Sequence, residues 1–162
     1  MKTFDYLHLN EAETVEVVKG LSLLLADYQV FYTNLRGYHW NIKGEKFFEL
    51  HLKFEELYND VAMKIDEIAE RILMLGSVPE NRFSEYLKVA RLQEVTNVSC
   101  GDKAIKDILE TYGHLIGEER KVLGHASAAG DESTVAMMSD YIKEQEKLVW
   151  MLVAYQTQAC QK

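Results

Sequence analysis

Apolar residues recur every three or four positions along most of the chain, the period of a helix with one face turned inward. Four long stretches carry this pattern. The first is predicted to start at Asn10, where an Asn cap followed three residues later by Glu13 makes a capping-box pattern. It runs through VVKGLSLLLADYQVFYTNLRGYHW to about residue 40. The second runs from about Glu45 to Leu75, where Gly76 and then Pro79 stop it. Within the next stretch, GSVPENRFSEYLKVARLQEVTNVSCG, the segment RFSEYLKVARL reads as a short amphipathic helix. Ser99 then caps a third helix, with Asp102 at the capping-box position and an apolar stripe of Ile105, Ile108, Leu109, Tyr112, Leu115 and Ile116. That helix ends near the AAG of 128–130. Asp131, or Ser133 just after it, starts a fourth, carrying Val135, Met138, Ile142, Leu148 and Leu152 to near the C-terminal end.

The links between these helices are short, long and short. Short links make neighbours of helices one and two, and of three and four. The long middle link is then a crossover bearing its own small helix. The predicted fold is all-α: a ferritin-like four-helix bundle with a short extra helix in the crossover between helices two and three. No repeat, low-complexity stretch or second domain interrupts it, so a single domain spanning residues 1–162 is expected.

The second long helix holds one stripe too many. With His51 at 0° and a turn of 100° per residue, Phe54, Leu57, Tyr58, Val61, Ile65, Ile68 and Ile72 fall at about 240–340°, the side expected to face the core. Lys53, Glu56, Asp60, Lys64, Glu67 and Arg71 fall at about 140–220°, charges of mixed sign as on a solvated face. A separate polar set, His51, Glu55, Asp66 and Glu70, lies at about 0–100° among Ala62, Ala69 and Leu73. Small and apolar neighbours suit a surface that another chain covers, and buried carboxylates are costly unless paired or bound to a metal.

Spacing constrains this set further. His51 and Glu55 lie one turn apart, as do Asp66 and Glu70, but 15 residues, or about 22 Å, separate the pairs. One chain cannot close both pairs on one ion. Two copies of the helix, antiparallel about a twofold axis, bring each His51/Glu55 end to the other's Asp66/Glu70 end and make two equivalent sites. His39, at the end of the first helix, can add a nitrogen across the hairpin. Two imidazoles and three carboxylates suit iron(II) and, less selectively, manganese or zinc. The spacing alone leaves a second reading open, an interface salt-bridge network with ordinary histidines.

Composition narrows the function. The 162 residues are 48% hydrophobic, with one Pro, nine Gly and a net charge of -8. Such a charge disfavours sequence-independent attraction to nucleic acid or anionic lipid. The N-terminus MKTFDYLHLN lacks a long apolar signal core, and no apolar run is long enough to span a bilayer. Cys100 and Cys160 have no metal-like spacing, so a reduced, cytoplasmic setting is expected.

The strings HWNIKG, FFELHLKFEELY and DEIAERILMLGSVP are similar to the signature of the Dps family, the ferritin-like mini-ferritins of starved or oxidatively stressed bacteria. The similarity is strongest over residues 34–79. It implies a ferroxidase site with His39, His51 and the acid at 55 from one subunit and Asp66 and Glu70 from its twofold mate. Glu55 stands where the family usually has Asp, and the longer arm bears on whether one iron or two rest there. The resemblance also implies a shell of twelve subunits, oxidation of iron(II) preferably by hydrogen peroxide, and storage of ferric mineral inside. Trp40, beside His39, is a candidate electron donor or an interface packing residue.

In that family the start of the fourth helix lines negatively charged threefold pores, which makes Asp131, Glu132, Asp140 and Glu144 candidates. Helix capping and a solvated face are their plainer roles. His114 and Glu118, four apart, could form a metal pair in isolation, but His114, His125 and His8 read as ordinary polar residues. No Glu-x-x-His occurs, so an in-bundle di-iron centre is disfavoured. Many Dps proteins hold DNA with a lysine-rich tail. Here residues 1–18 have one lysine, Lys2, against Asp5, Glu11, Glu13 and Glu16, and the last ten have only Lys162. Weak or absent DNA binding is expected. A DNA-compacting structural protein remains the alternative, and it requires a basic patch.

Overall fold

A computed structural model describes residues 3–157. Lys2, Cys160 and Lys162, named above, lie outside the described residues. Six helices follow in order: α1 (Phe4–Leu7), α2 (Val15–Asn41), α3 (Phe47–Met74), α4 (Phe83–Val89), α5 (Gly101–Ala128) and α6 (Glu132–Gln156). There is no strand among the described residues. The four long helices and the crossover helix α4 stand as the sequence pattern places them. None of the helices is long and apolar enough to cross a membrane.

Helices α2 and α3 form an antiparallel hairpin, visible in its ladder of ring contacts: Tyr32 on Tyr58, Tyr38 on Phe54 and His39 on His51. Helices α5 and α6 form the second hairpin, and α2 also packs on α5 and α4. The shared core includes Leu21, Leu24 and Phe31 of α2 and Phe54, Val61 and Ile68 of α3, joined by Ile105 and Leu115 of α5 and Met138 of α6. Fully burying each such side chain is worth about 1.5–3 kcal/mol before entropy is counted.

Two helix ends share one device. Gly76 (φ 73°) follows α3; its N–H donates to the Leu73 carbonyl at 2.9 Å, and the Ser77 N–H donates to that of Ile72 at 3.1 Å. Gly130 (φ 66°) follows α5, with Gly130 N–H to Ser127 and Asp131 N–H to Ala126. Both are Schellman ends, in which a left-handed residue lets the chain turn back on its last carbonyls. Asp131 then caps α6, accepting the Thr134 N–H at 3.0 Å.

The N-terminal boundary differs from expectation. Asn10 accepts the Ala12 N–H and bonds Glu13, but the bonds at 11–14 close tight turns, and α2 begins only at Val15. The unexpected α1 precedes it, and Phe4 packs beneath Gly76. Helix α5 likewise starts after Cys100 rather than Ser99, because the Ser99 carbonyl accepts the Lys43 N–H.

The crossover is pinned to α2 by two buried polar side chains. Asp27 accepts the N–H groups of Arg91 and Leu92 at 2.6 and 3.2 Å and holds His114 Nε2 at 2.7 Å. Asn34 accepts from Val95 and donates to the Gln93 carbonyl. His114 thus has a structural partner, and Glu118 is engaged by Arg91 and Lys121.

The charged face of α3 is not uniformly solvated. Lys64 and Arg71 are buried, each reaching across from α3 to side chains of α6 or of the cap at its start. Lys64 bridges Asp60 of its own helix (2.7 Å) and Glu144 of α6 (3.0 Å). Arg71 donates to Asp131 at 2.5 Å and to the Thr134 hydroxyl at 2.9 Å, and that hydroxyl donates to Asp131.

Candidate metal centre

The end of α2 and the first turns of α3 bring His39 and His51 face to face. Their rings stack with centroids 3.7 Å apart and an 18° interplanar angle. Each ring reaches the other's backbone: His39 Nδ1 lies 2.7 Å from the His51 carbonyl, and His51 Nδ1 lies 2.9 Å from the His39 carbonyl. A carbonyl only accepts, so both Nδ1 atoms carry the proton. Nε2 is then the ring nitrogen left to bind a metal, and the Nδ1 contact is the orienting bond that ligand histidines characteristically make. The His39 carbonyl belongs to the last turn of α2, where carbonyls lack helical partners. Tyr58 stands edge-on to His39 and Phe47 stacks on His51, so both rings are held in place.

Glu55, one turn along α3 from His51, is half-buried, while Asp66 and Glu70 are exposed further down the same unbroken helix. Among the described residues, no three His, Cys, Asp or Glu side chains come together to hold a metal. Large apolar residues around this stripe also face outward: Phe48 is 79% exposed, Leu52 59% and Leu73 52%. Trp40 is exposed too, with the Arg36 guanidinium 4.6 Å above its ring.

The pore candidates divide. Asp131 is buried, caps α6 and pairs with Arg71, so its carboxylate is spent inside its own chain and the pore assignment is withdrawn for it. Glu132, Asp140 and Glu144 are exposed. Asp140 and Glu144 line a cleft of about 510 Å³ between α3 and α6, to which Glu67 and Glu70 also contribute.

A second buried acid besides Asp27 escaped the sequence reading. Glu119 of α5 is fully buried and accepts from the Tyr28 hydroxyl at 2.5 Å and Gln145 Nε2 at 2.7 Å. Its position was visible: four after Leu115 and three before Val122, it sits in the apolar register of its helix.

The long helices, the crossover and the Schellman ends define a ferritin-like protein, and residues 18–159 match the family model of the ferritin-like domain. The DNA protection during starvation protein of Porphyromonas gingivalis is 52% identical over 156 residues, 96% of this chain and 98% of its own length. DNA protection during starvation protein 2 of Bacillus anthracis is 38% identical, over 88% of this chain and 98% of its own. The crystal structure of a DPS protein from Vibrio cholerae superposes with a TM-score of 0.90 at 50% identity, covering 92% of this chain and 94% of that one. Within the ferritin-like class, the chain belongs to the Dps family.

Proposed function

We propose that this chain oxidises and stores iron, protecting against oxidative stress. Iron(II) is the substrate, hydrogen peroxide the oxidant, and a dodecameric cage of identical chains the container for ferric mineral. The observation that carries the reading is the crossed histidine pair, whose Nδ1 atoms are engaged by backbone carbonyls and whose Nε2 atoms are left to a cation. The Vibrio cholerae relative is described as a member of a superfamily of ferritin-like diiron-carboxylate proteins, which supports iron as the metal.

His39, His51 and Glu55 provide one half of the site, and Asp66 and Glu70 of a second copy provide the other. The exposed apolar rim formed by Phe48, Leu52 and Leu73 is the surface that such a copy would cover, with Trp40 as a packing residue of the contact. Two iron(II) ions each give one electron, the O–O bond of peroxide breaks, and its two oxygens take up two protons and leave as two waters. Hydrolysis of the ferric products then releases protons. The protein's part is to hold both ions beside one oxidant, so that no one-electron fragment of peroxide escapes. Glu144 is paired with Lys64, so the acids of this cleft left to draw cations towards Glu70 include Asp140. Tight DNA binding is no part of this function, given the net charge of -8.

The test is anaerobic loading with iron(II) followed by a peroxide pulse. Fast oxidation at about one peroxide per two irons, with iron retained in an oligomer of about twelve chains, is the expected result. Oxidation no faster than in buffer would remove the ferroxidase reading.

A further inference from the structure

The polar cluster at the centre of the bundle is incomplete. Glu119 Oε1 accepts two hydrogen bonds, from Tyr28 and Gln145, and Gln145 Nε2 donates to both Tyr28 and Glu119. The atoms left over are Glu119 Oε2, Gln145 Oε1 and the Tyr112 hydroxyl, each buried and without a hydrogen-bond partner among the described residues. Tyr112, Glu119 and Gln145 are at most 3% exposed. Glu119 and Gln145 bond each other and Tyr112 shares a cleft wall with Gln145; orphaned atoms so grouped are rare, because each costs about 1–3 kcal/mol unless something satisfies it. A cleft of about 210 Å³ between α3 and α6 leads to Tyr112 and Gln145, and Leu57 and Leu148 form part of its wall.

We propose that this cluster is a hydrated proton-binding site, in which one water joins the three atoms and Glu119 Oε2 carries the proton. Two acceptors and one hydroxyl give a water three bonds, the usual number for a buried one. With Glu119 protonated, the water accepts from Oε2–H and from Tyr112 and donates to Gln145 Oε1. With Glu119 ionised, the same water turns and donates to Oε2 and Gln145 while still accepting from Tyr112. Both states are satisfied, so the proton can come and go without repacking the core.

The surroundings place the exchange near neutral pH. Burial pushes the Glu119 carboxyl up from 4.5 to about 7, against the hydrogen bonds from Tyr28 and Gln145 and the positive charges of Lys64 and Arg120. The groups facing the cluster are Tyr28 from α2, Lys64, Asp60 and Glu56 from α3, Arg120 and Tyr112 from α5, and Gln145, Tyr141 and Glu144 from α6. The sign follows from the raised value. Below about pH 4.5 folded and unfolded chains both hold the proton. Between there and about pH 7 only the folded chain does, so this group makes stability fall as pH rises, and above pH 7 the loss is constant. The site makes no use of the interface residues and stands whether or not iron binds there.

The experiment is infrared spectroscopy of the assembled protein from about pH 5.5 to about pH 9, following the carbonyl stretch of protonated carboxyl groups. A band that disappears with a midpoint near 7, and is missing in Glu119→Gln, is the expected result. Glu119→Gln mimics the protonated acid and should keep its fold, with a flatter dependence of stability on pH. Tyr112→Phe removes a donor to the water beside the anion and should move the midpoint upward. A band unchanged in Glu119→Gln, no band titrating near neutral, or a midpoint unmoved by Tyr112→Phe would overturn the proposal. So would anomalous scattering from a bound metal at Glu119 in crystals soaked with manganese or zinc.

Discussion

Helix α3 carries two polar stripes with opposite fates. On one, Lys64 and Arg71 are buried, and every charge they bring is met within the chain by Asp60, Glu144, Asp131 and Thr134. On the other, Asp66 and Glu70 stay exposed amid outward-facing apolar residues, and the two histidines engage backbone carbonyls only through Nδ1. Both stripes consist of ionisable residues at helical spacing. The difference is completeness: the first has its partners and acts as structure, while the carboxylates of the second have no ion pair among the described residues and, under the proposed function, form half of a binding set. Exposure alone does not separate them, since Lys53 and Glu56 of the first stripe also reach solvent.

The largest test of that contrast removes a member of the completed stripe's network. Asp131→Ala strands Arg71 and uncaps α6, and should cost about 3–5 kcal/mol, read as a lowered urea midpoint. A loss under about 0.5 kcal/mol, typical of a surface site, would mean that the Arg71 network is no structural anchor. Next comes His51→Ala combined with Asp66→Ala, which should slow iron(II) oxidation by more than the roughly 10–100-fold that losing a ligand's orienting partner costs. The bundle should still fold, with a loss of about 1 kcal/mol from the His51 stacking and its bond to the His39 carbonyl. Asp27→Asn weakens the anchor of the crossover and should cost about 1 kcal/mol, with faster amide exchange at Arg91 and Leu92. Smallest of all, Lys53→Ala breaks the exposed pair with Glu56 and should change stability by less than about 0.5 kcal/mol.

Much of this was legible before any coordinates. Helical period and link length gave the bundle and its crossover, and Gly76 and the AAG of 128–130 marked ends that the structure closes with left-handed glycines. The stripe around His51 stood out because its apolar neighbours contradicted a solvated face. What could not be read depended on neighbours distant in sequence. Angles on one helical wheel put Lys64 and Arg71 among solvated charges, since nothing local says that α6 will cover them. Asn10 and Glu13 bond side chain to side chain rather than in the reciprocal capping pattern, and the backbone bonds Glu13 to Asn10 and Thr14 to Glu11 close a turn instead of starting a helix. The locking of His39 and His51 needs backbone carbonyls placed across the hairpin, which no spacing rule supplies. Glu119 was visible as an acid in an apolar register, and its partners on α2 and α6 were not.

The most direct test of the shared site is complementation between two broken halves. His51→Ala and Asp66→Ala chains, each nearly inactive alone, are unfolded together and reassembled. At random mixing, half of the twofold contacts pair unlike chains and one of the two sites at each is intact, so about a quarter of the sites should work again. Recovery of oxidation rate to about that fraction of the wild type is the expected result. A mixed oligomer no more active than its parents would contradict a site built from two chains.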